Sequence, residues 1–157
     1  MLIDVEGIII NTKNYSDTSK IVDIFTKEYG VIGVMAKGCK SLKSNLRSVT
    51  DKLTYAKFTI FYKKDKLSIL SEANSINNFS NIKKDIEKIS YASFLIDLTN
   101  QVYKQSEDTD LYDLLISSLV KINDNFNPLI ITNIVELKYL NYLGVMPNLD
   151  GCSICGA

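Results

Sequence analysis

Histidine is absent from this sequence, proline occurs only twice and cysteine only three times. Without histidine the commonest general base near neutral pH is missing. So are the Ser-His-Asp and Cys-His nucleophile arrangements and every metal site built on imidazole. Hydrolytic chemistry is disfavoured, and the chain reads as a non-enzyme. An odd number of cysteines, two of them crowded at the end, does not fit a secreted disulfide framework. Long apolar runs are also missing: Leu129-Ile130-Ile131 is far too short to cross a bilayer. The start, Met1 to Glu6, carries two acids and no basic residue, unlike a secretory signal. A cytoplasmic protein with no membrane partner is expected.

Net charge is zero over 157 residues, but the charges are unevenly placed. Residues 1–36 are net −2 and residues 67–157 net −5, whereas residues 37–66 hold nine basic and two acidic side chains, net +7. Lysine is ordinarily a solvated surface residue. Here, however, the bias is steep, spans a loop and adjacent strands, and is interleaved with Tyr55, Phe61 and Tyr62. A localised anion-binding face is the functional reading.

The first half reads as strands. Leu2 to Asn11, Ile21 to Thr26 and Val31 to Ala36 are apolar and rich in β-branched residues, with Glu28-Tyr29-Gly30 breaking the second from the third. Residues 37–52, rich in Lys, Ser and Asn, read as an exposed loop. Leu53 to Tyr62 then alternates with period two: Ala56, Phe58, Ile60 and Tyr62 on one face, Tyr55, Lys57, Thr59 and Phe61 on the other. Lys63 to Lys66 is a turn, and Leu67 to Glu72 the last strand. Five strands in so short a span predict a small antiparallel barrel such as the OB-fold.

Beyond Asn78 the period becomes helical. Ile82, Ile86 and Ile89, then Tyr91, Phe94 or Leu95, Leu98 and Val102, predict one amphipathic helix or a broken pair. Asp110 is the expected N-cap of a helix carrying Leu111, Leu114, Leu115, Leu119 and Ile122. Asn127-Pro128 opens a last helix whose expected inner residues are Ile131, Ile134, Leu137 or Val135, and Leu140; Gly144 and Pro147 end it. The fold class is therefore α+β: an all-β barrel domain over residues 1–78, then an all-α domain over residues 79–157.

Gly33 to Ser41 approaches a P-loop but fails, because Cys39 separates Gly38 from Lys40 and no helical stripe follows. Cys39 lies between Lys37 and Lys40, whose charge would favour a thiolate, but an incidental cysteine is the simpler reading. Cys152-Ser-Ile-Cys155-Gly156 is half of a zinc knuckle, with an unpaired remnant and a redox pair as alternatives; no parallel βαβ unit precedes it to support the latter. The missing half would fit either a truncated product or a natural short form. The basic set assigned to nucleic acid is Lys37, Lys40, Lys43, Arg47, Lys57, Lys63, Lys64 and Lys66, with Tyr55 and Phe61 as candidate stacking platforms.

Several segments resemble the RecO family in order and spacing. They are Gly7 to Ile10 with Tyr15 to Val22, Phe25 to Gly30, Ala36-Lys37-Gly38 with Ser41 to Ser44, Leu67 to Glu72, Asp110 to Leu119, and Leu143 to Pro147 before the Cys152–Gly156 knuckle. Asp17 stands where members commonly carry Glu, a change that keeps the charge. The resemblance implies an N-terminal OB-fold and a C-terminal helical domain, often with a four-cysteine zinc site to which Cys152 and Cys155 would belong. It implies a recombination mediator in DNA repair, active at the nucleoid, that binds single- and double-stranded DNA, anneals complementary strands and helps load RecA. The partners it implies are RecR and the acidic C-terminal tail of the single-stranded DNA-binding protein. For that tail, Lys83, Lys84, Lys88, Lys104, Lys121 and Lys138 are the available cations. An OB-fold RNA- or ribosome-associated module and a pure protein adaptor are the competing classes.

Overall fold

A computed structural model describes residues 1–156. Five strands, β1 (Leu2–Asn14), β2 (Lys20–Thr26), β3 (Gly30–Ala36), β4 (Tyr55–Phe61) and β5 (Ser68–Asn77), close into a barrel in the order β1-β2-β3-β5-β4. All pairings are antiparallel except the short β3–β5 contact, where Val34 and Met35 lie beside Ser68 and Ile69. This is the OB-fold expected from the sequence. β1 serves two neighbours, β4 along its first half and β2 along its second.

A bulge in β1 between Ile9 and Asn11 explains its apolar run. Ile9 points into the barrel with Val22, Ile24, Val34, Phe58 and Ile60, while Ile8 and Ile10 point outward into a second core. That second core belongs to the helices α1 (Ser80–Lys83), α2 (Ile86–Ser106), α3 (Asp110–Asn123) and α4 (Pro128–Tyr142). Phe25 joins it from the barrel's outer wall, and Phe79, with a left-handed φ of 47°, turns the chain from β5 into α1 with its ring fully buried. Each such apolar side chain removed from water stabilises by about 1.5–3 kcal/mol. Barrel and lobe therefore share one apolar seam.

Several expectations are corrected in detail. β5 runs to Asn77 rather than stopping at Glu72, because β4 supplies its ladder partners as far as Tyr55. The helical stripe after Asn78 is a broken pair, with Asp85 capping α2 by accepting from the Glu87 and Lys88 amides at 2.9 and 3.2 Å. Thr109, not Asp110, occupies the N-cap of α3, and Asp110 is its first residue. Asn127 caps α4 as expected, accepting from Leu129 and Ile130 at 3.0 and 3.3 Å. The buried face of α4 is Ile131, Val135 and Tyr139, leaving Ile134 and Leu137 exposed. α4 is apolar nearly all round, so its period could not choose the inner stripe. None of the described helices is long and apolar enough to cross a membrane.

Candidate nucleic-acid interface

The segment between β3 and β4 is not the free loop its composition suggests. Cys39 is buried in the barrel core at 1% exposure, and Leu46 packs beside it half-buried. These two side chains anchor the segment to the barrel core. Around them the backbone makes successive tight turns: Ser41 donates to Gly38, Ser44 to Ser41, Arg47 to Ser44 and Val49 to Leu46, at 3.0 to 3.3 Å. The segment is also tied to the β1–β2 turn. The Gly38 amide donates to Ser19 Oγ (3.1 Å), the Lys40 amide to the Thr18 carbonyl (3.0 Å), and Lys40 Nζ to the Ser16 carbonyl (2.9 Å). At its far end Asp51 pairs with Lys20 of β2 at 2.8 Å. Lys37, Lys43 and Arg47 thus stand exposed on an anchored scaffold. Cys39, expected as an incidental residue of an exposed loop, is instead a member of the barrel core.

A second basic group lies in the β4–β5 turn. Lys63, Lys64 and Lys66 are exposed, and the turn is pinned by the Lys63 amide donating to Ser68 Oγ at 3.0 Å. Among the described residues, none of Lys37, Lys40, Lys43, Arg47, Lys63, Lys64 and Lys66 forms an ion pair; those formed use Lys20, Lys27, Lys52 and Lys57. Six of these seven are exposed, while Lys40 is half-buried with its Nζ donating to the Ser16 carbonyl.

Between the two groups lies a wall unforeseen from the sequence. Strand register places Ile21, Met35, Ile69, Phe61 and Leu2 in one row across β2, β3, β5, β4 and β1, all half-buried or exposed. The opposite row, Tyr55, Ile8, Phe25 and Val31, is covered by the helical lobe. The barrel thus has two apolar outer sides, one of them unpartnered. Phe61, 47% exposed, belongs to the open side. Half-buried Ile21, Met35 and Ile69 read as core in sequence, which is why the wall was not anticipated.

Tyr55 and Lys57 separate from the rest of the assigned set. Tyr55 stacks on Phe79 with ring centroids 6.0 Å apart, and its hydroxyl donates to Glu6, which also accepts from Tyr112 at 3.2 Å. Burial, reinforced by the Glu6 carboxylate, pushes the Tyr55 hydroxyl up to about 12. Tyr112 moves in the same direction, again chiefly by burial. A ring clamped between barrel and lobe cannot stack on a base. Lys57 sits 3.6 Å from Asp4 and opposite Glu6 in the ladder, where acids already neutralise it. A hydrogen bond from Thr59 at 2.7 Å, then the Lys57 charge, hold the Asp4 carboxyl below its usual range.

At the other end of the chain, Cys152 and Cys155 are exposed and form a tight knuckle. The Ile154 amide donates to Cys152 Sγ at 3.4 Å and the Gly156 amide to the Cys152 carbonyl at 2.8 Å, with Gly156 at φ 72°. Amide donors from Cys155 and Ile154 hold the Cys152 thiol below its ordinary pKa. That is the donor pattern a metal thiolate needs, but no third ligand joins them among the described residues.

A closed barrel in OB order, sealed along one side to a helical lobe and bordered by free cations on the other, defines an OB-fold protein of the barrel-and-lobe type. Two family models divide the chain in the same way, Recombination protein O N terminal matching residues 1–79 and Recombination protein O C terminal matching residues 83–157. The chain belongs to the RecO family. It is 39% identical over 152 residues to the DNA repair protein RecO of Listeria monocytogenes serotype 4b, covering 96% of this chain and 59% of that relative. The proteins of the same name from Halalkalibacterium halodurans and Bacillus cytotoxicus are each 36% identical, over 96% of this chain and 59% and 61% of their own lengths. The chain thus spans about three fifths of these relatives.

Proposed function

We propose that this chain is the DNA-holding part of a non-catalytic recombination mediator that binds single- and double-stranded DNA, anneals complementary strands and helps load RecA. The observation that carries this reading is the set of seven unpaired cations on two anchored turns flanking an unpartnered apolar wall. Lysine and arginine neutralise backbone phosphates without reading sequence, while an apolar strand face accepts unstacked bases. Lys37, Lys40, Lys43 and Arg47 hold one stretch of backbone and Lys63, Lys64 and Lys66 another, with Phe61 between them. Competition titration tests this: unlabelled single-stranded DNA should displace a labelled strand at lower concentration than structured RNA does. A preference for structured RNA would instead favour a ribosome-associated module.

The family likeness supports RecR and the acidic tail of the single-stranded DNA-binding protein as partners, with action at the nucleoid. For the tail, an apolar groove of about 350 Å³ between α2 and α4, lined by Tyr91, Phe94 and Leu129, offers a seat for apolar residues.

Cys152 and Cys155 fit zinc as half of its tetrahedral ligand set, and zinc would act there as a structural cross-link. Cys39, locked in the barrel core, cannot join them, so the remaining two ligands must come from outside the described residues. Metal analysis after dialysis of this chain should find near-zero zinc, since two ligands plus water make a weak, exchangeable site. About half an equivalent per chain would mean two copies pooling their thiolates. One tight equivalent per monomer would contradict the half-site.

A further inference from the structure

One groove on the open side of the barrel is shaped for more than backbone contact. It lies between β3 and the β4–β5 turn, has a volume of about 460 Å³, and is lined by Tyr29, Gly33, Tyr62, Lys63, Lys66 and Leu67. Its aromatic pair is formed by Tyr29 of the β2–β3 turn and Tyr62 at the end of β4. Their ring centroids are 5.2 Å apart and their planes inclined at 46°, and Tyr29 remains 40% exposed. The alternation of β4 puts Tyr62 on the face of Ala56, Phe58 and Ile60, and half-buried Tyr62 does pack against that barrel core while also lining the groove.

Gly33 is the second observation. It lies on the outer face of β3 in an ordinary strand conformation, with no positive φ. A Cβ added there would meet Leu67 Cδ1 at 3.6 Å and Asp23 Oδ1 at 3.7 Å, ordinary van der Waals contacts. The backbone therefore does not demand glycine at this position. What the missing side chain achieves is open space in the groove's lining, beside Leu67 and the Asp23 carboxylate. A β-branched or larger residue, the usual occupant of a strand, would fill the space.

We propose that this groove is a subsite for one unpaired nucleotide, its base lying against Tyr62 and Tyr29 in the space left by Gly33 and its phosphate held by Lys63 or Lys66. The inference deepens the DNA-binding reading and rests on it. Every base presents a flat π-face, so stacking on tyrosine tolerates any sequence. Bases inside a duplex are already stacked and paired, so only an unpaired one can enter. Asp65 borders the groove and the Asp23 carboxylate stands beside Gly33, but Lys63, Lys64 and Lys66 of the turn outnumber these two acids. The subsite would give the protein a preference for single strands that lysines alone cannot supply, since phosphates are common to both forms.

Three single variants test it, Tyr62→Leu, Tyr29→Ala and Gly33→Leu, each checked for native circular dichroism and titrated with a labelled oligothymidylate and a labelled duplex. Base stacking of this kind is worth about 1–3 kcal/mol, so Tyr62→Leu should weaken oligothymidylate binding about tenfold or more. Duplex affinity should stay within about twofold, because backbone contacts are unchanged. Gly33→Leu keeps both rings and fills that space, so it should reproduce the loss and stands in should Tyr62→Leu misfold. Equal losses on single strand and duplex, or folded variants that bind oligothymidylate as the parent does, would overturn the subsite alone. A parent protein that binds neither DNA would overturn the reading beneath it as well.

Discussion

Replacing Lys43 and Arg47 together by Glu is expected to weaken binding of single-stranded DNA about a hundredfold at low salt while leaving the fold intact. Two cations that meet phosphates become two anions that repel them, and the favourable release of counterions is lost with them. Both side chains are exposed and make no ion pair, so the folded state has little to lose. The segment's anchors, Cys39, Leu46 and the Lys20–Asp51 pair, are untouched. Lys57→Glu is the matching control. It lies beside Asp4 and Glu6 on another side of the barrel and should change affinity by no more than about twofold. Fluorescence anisotropy with a labelled strand measures both variants. Unchanged affinity in the folded double variant would move the interface away from the β3–β4 segment.

The second large effect concerns the seam between barrel and lobe. Gly30 follows the β2–β3 turn at φ 65°, and Thr26 Oγ1 donates to its carbonyl at 2.9 Å. A Cβ there would lie 1.9 Å from the hydroxyl oxygen of Tyr103 on α2, whose ring packs on Phe25 at 5.0 Å. Gly30→Val therefore combines a left-handed backbone forced on a β-branched residue with displacement of a side chain that seals the seam. A destabilisation of about 3 kcal/mol is expected from urea unfolding, with barrel and lobe melting together because they share the core of Ile8, Ile10 and Phe25. Gly38→Ala isolates the backbone part. Its φ is also 65°, but nothing lies within 4 Å of the added carbon, so about 1 kcal/mol is expected. Similar values for both variants would show that the Tyr103 contact matters little.

The barrel was legible wherever alternation is strict. In β4 the pattern separates buried Phe58 and Ile60 from exposed Lys57 and Phe61, as the structure does. β5 beyond Glu72 was not legible, because Asn74, Ser75 and Asn77 carry no apolar alternation and their pairing is imposed by β4. The β3–β4 segment hid its anchors for a similar reason: single apolar residues such as Cys39 and Leu46 in a polar run have no period. The basic residues were legible from composition alone. Their partition was not, since Lys57 and Lys63 are six residues apart yet face different surroundings. The open wall escaped notice because half-exposed Ile21, Met35 and Ile69 have the same identities as core residues.

The affinity of this chain for a labelled single strand across a salt series tests the DNA-holding role most directly. If roughly four phosphates are neutralised on one strand, log affinity should fall with log salt at a slope of about −3, with little dependence on base sequence. A slope near zero, or no binding even at low salt, would contradict a phosphate-holding surface on the barrel.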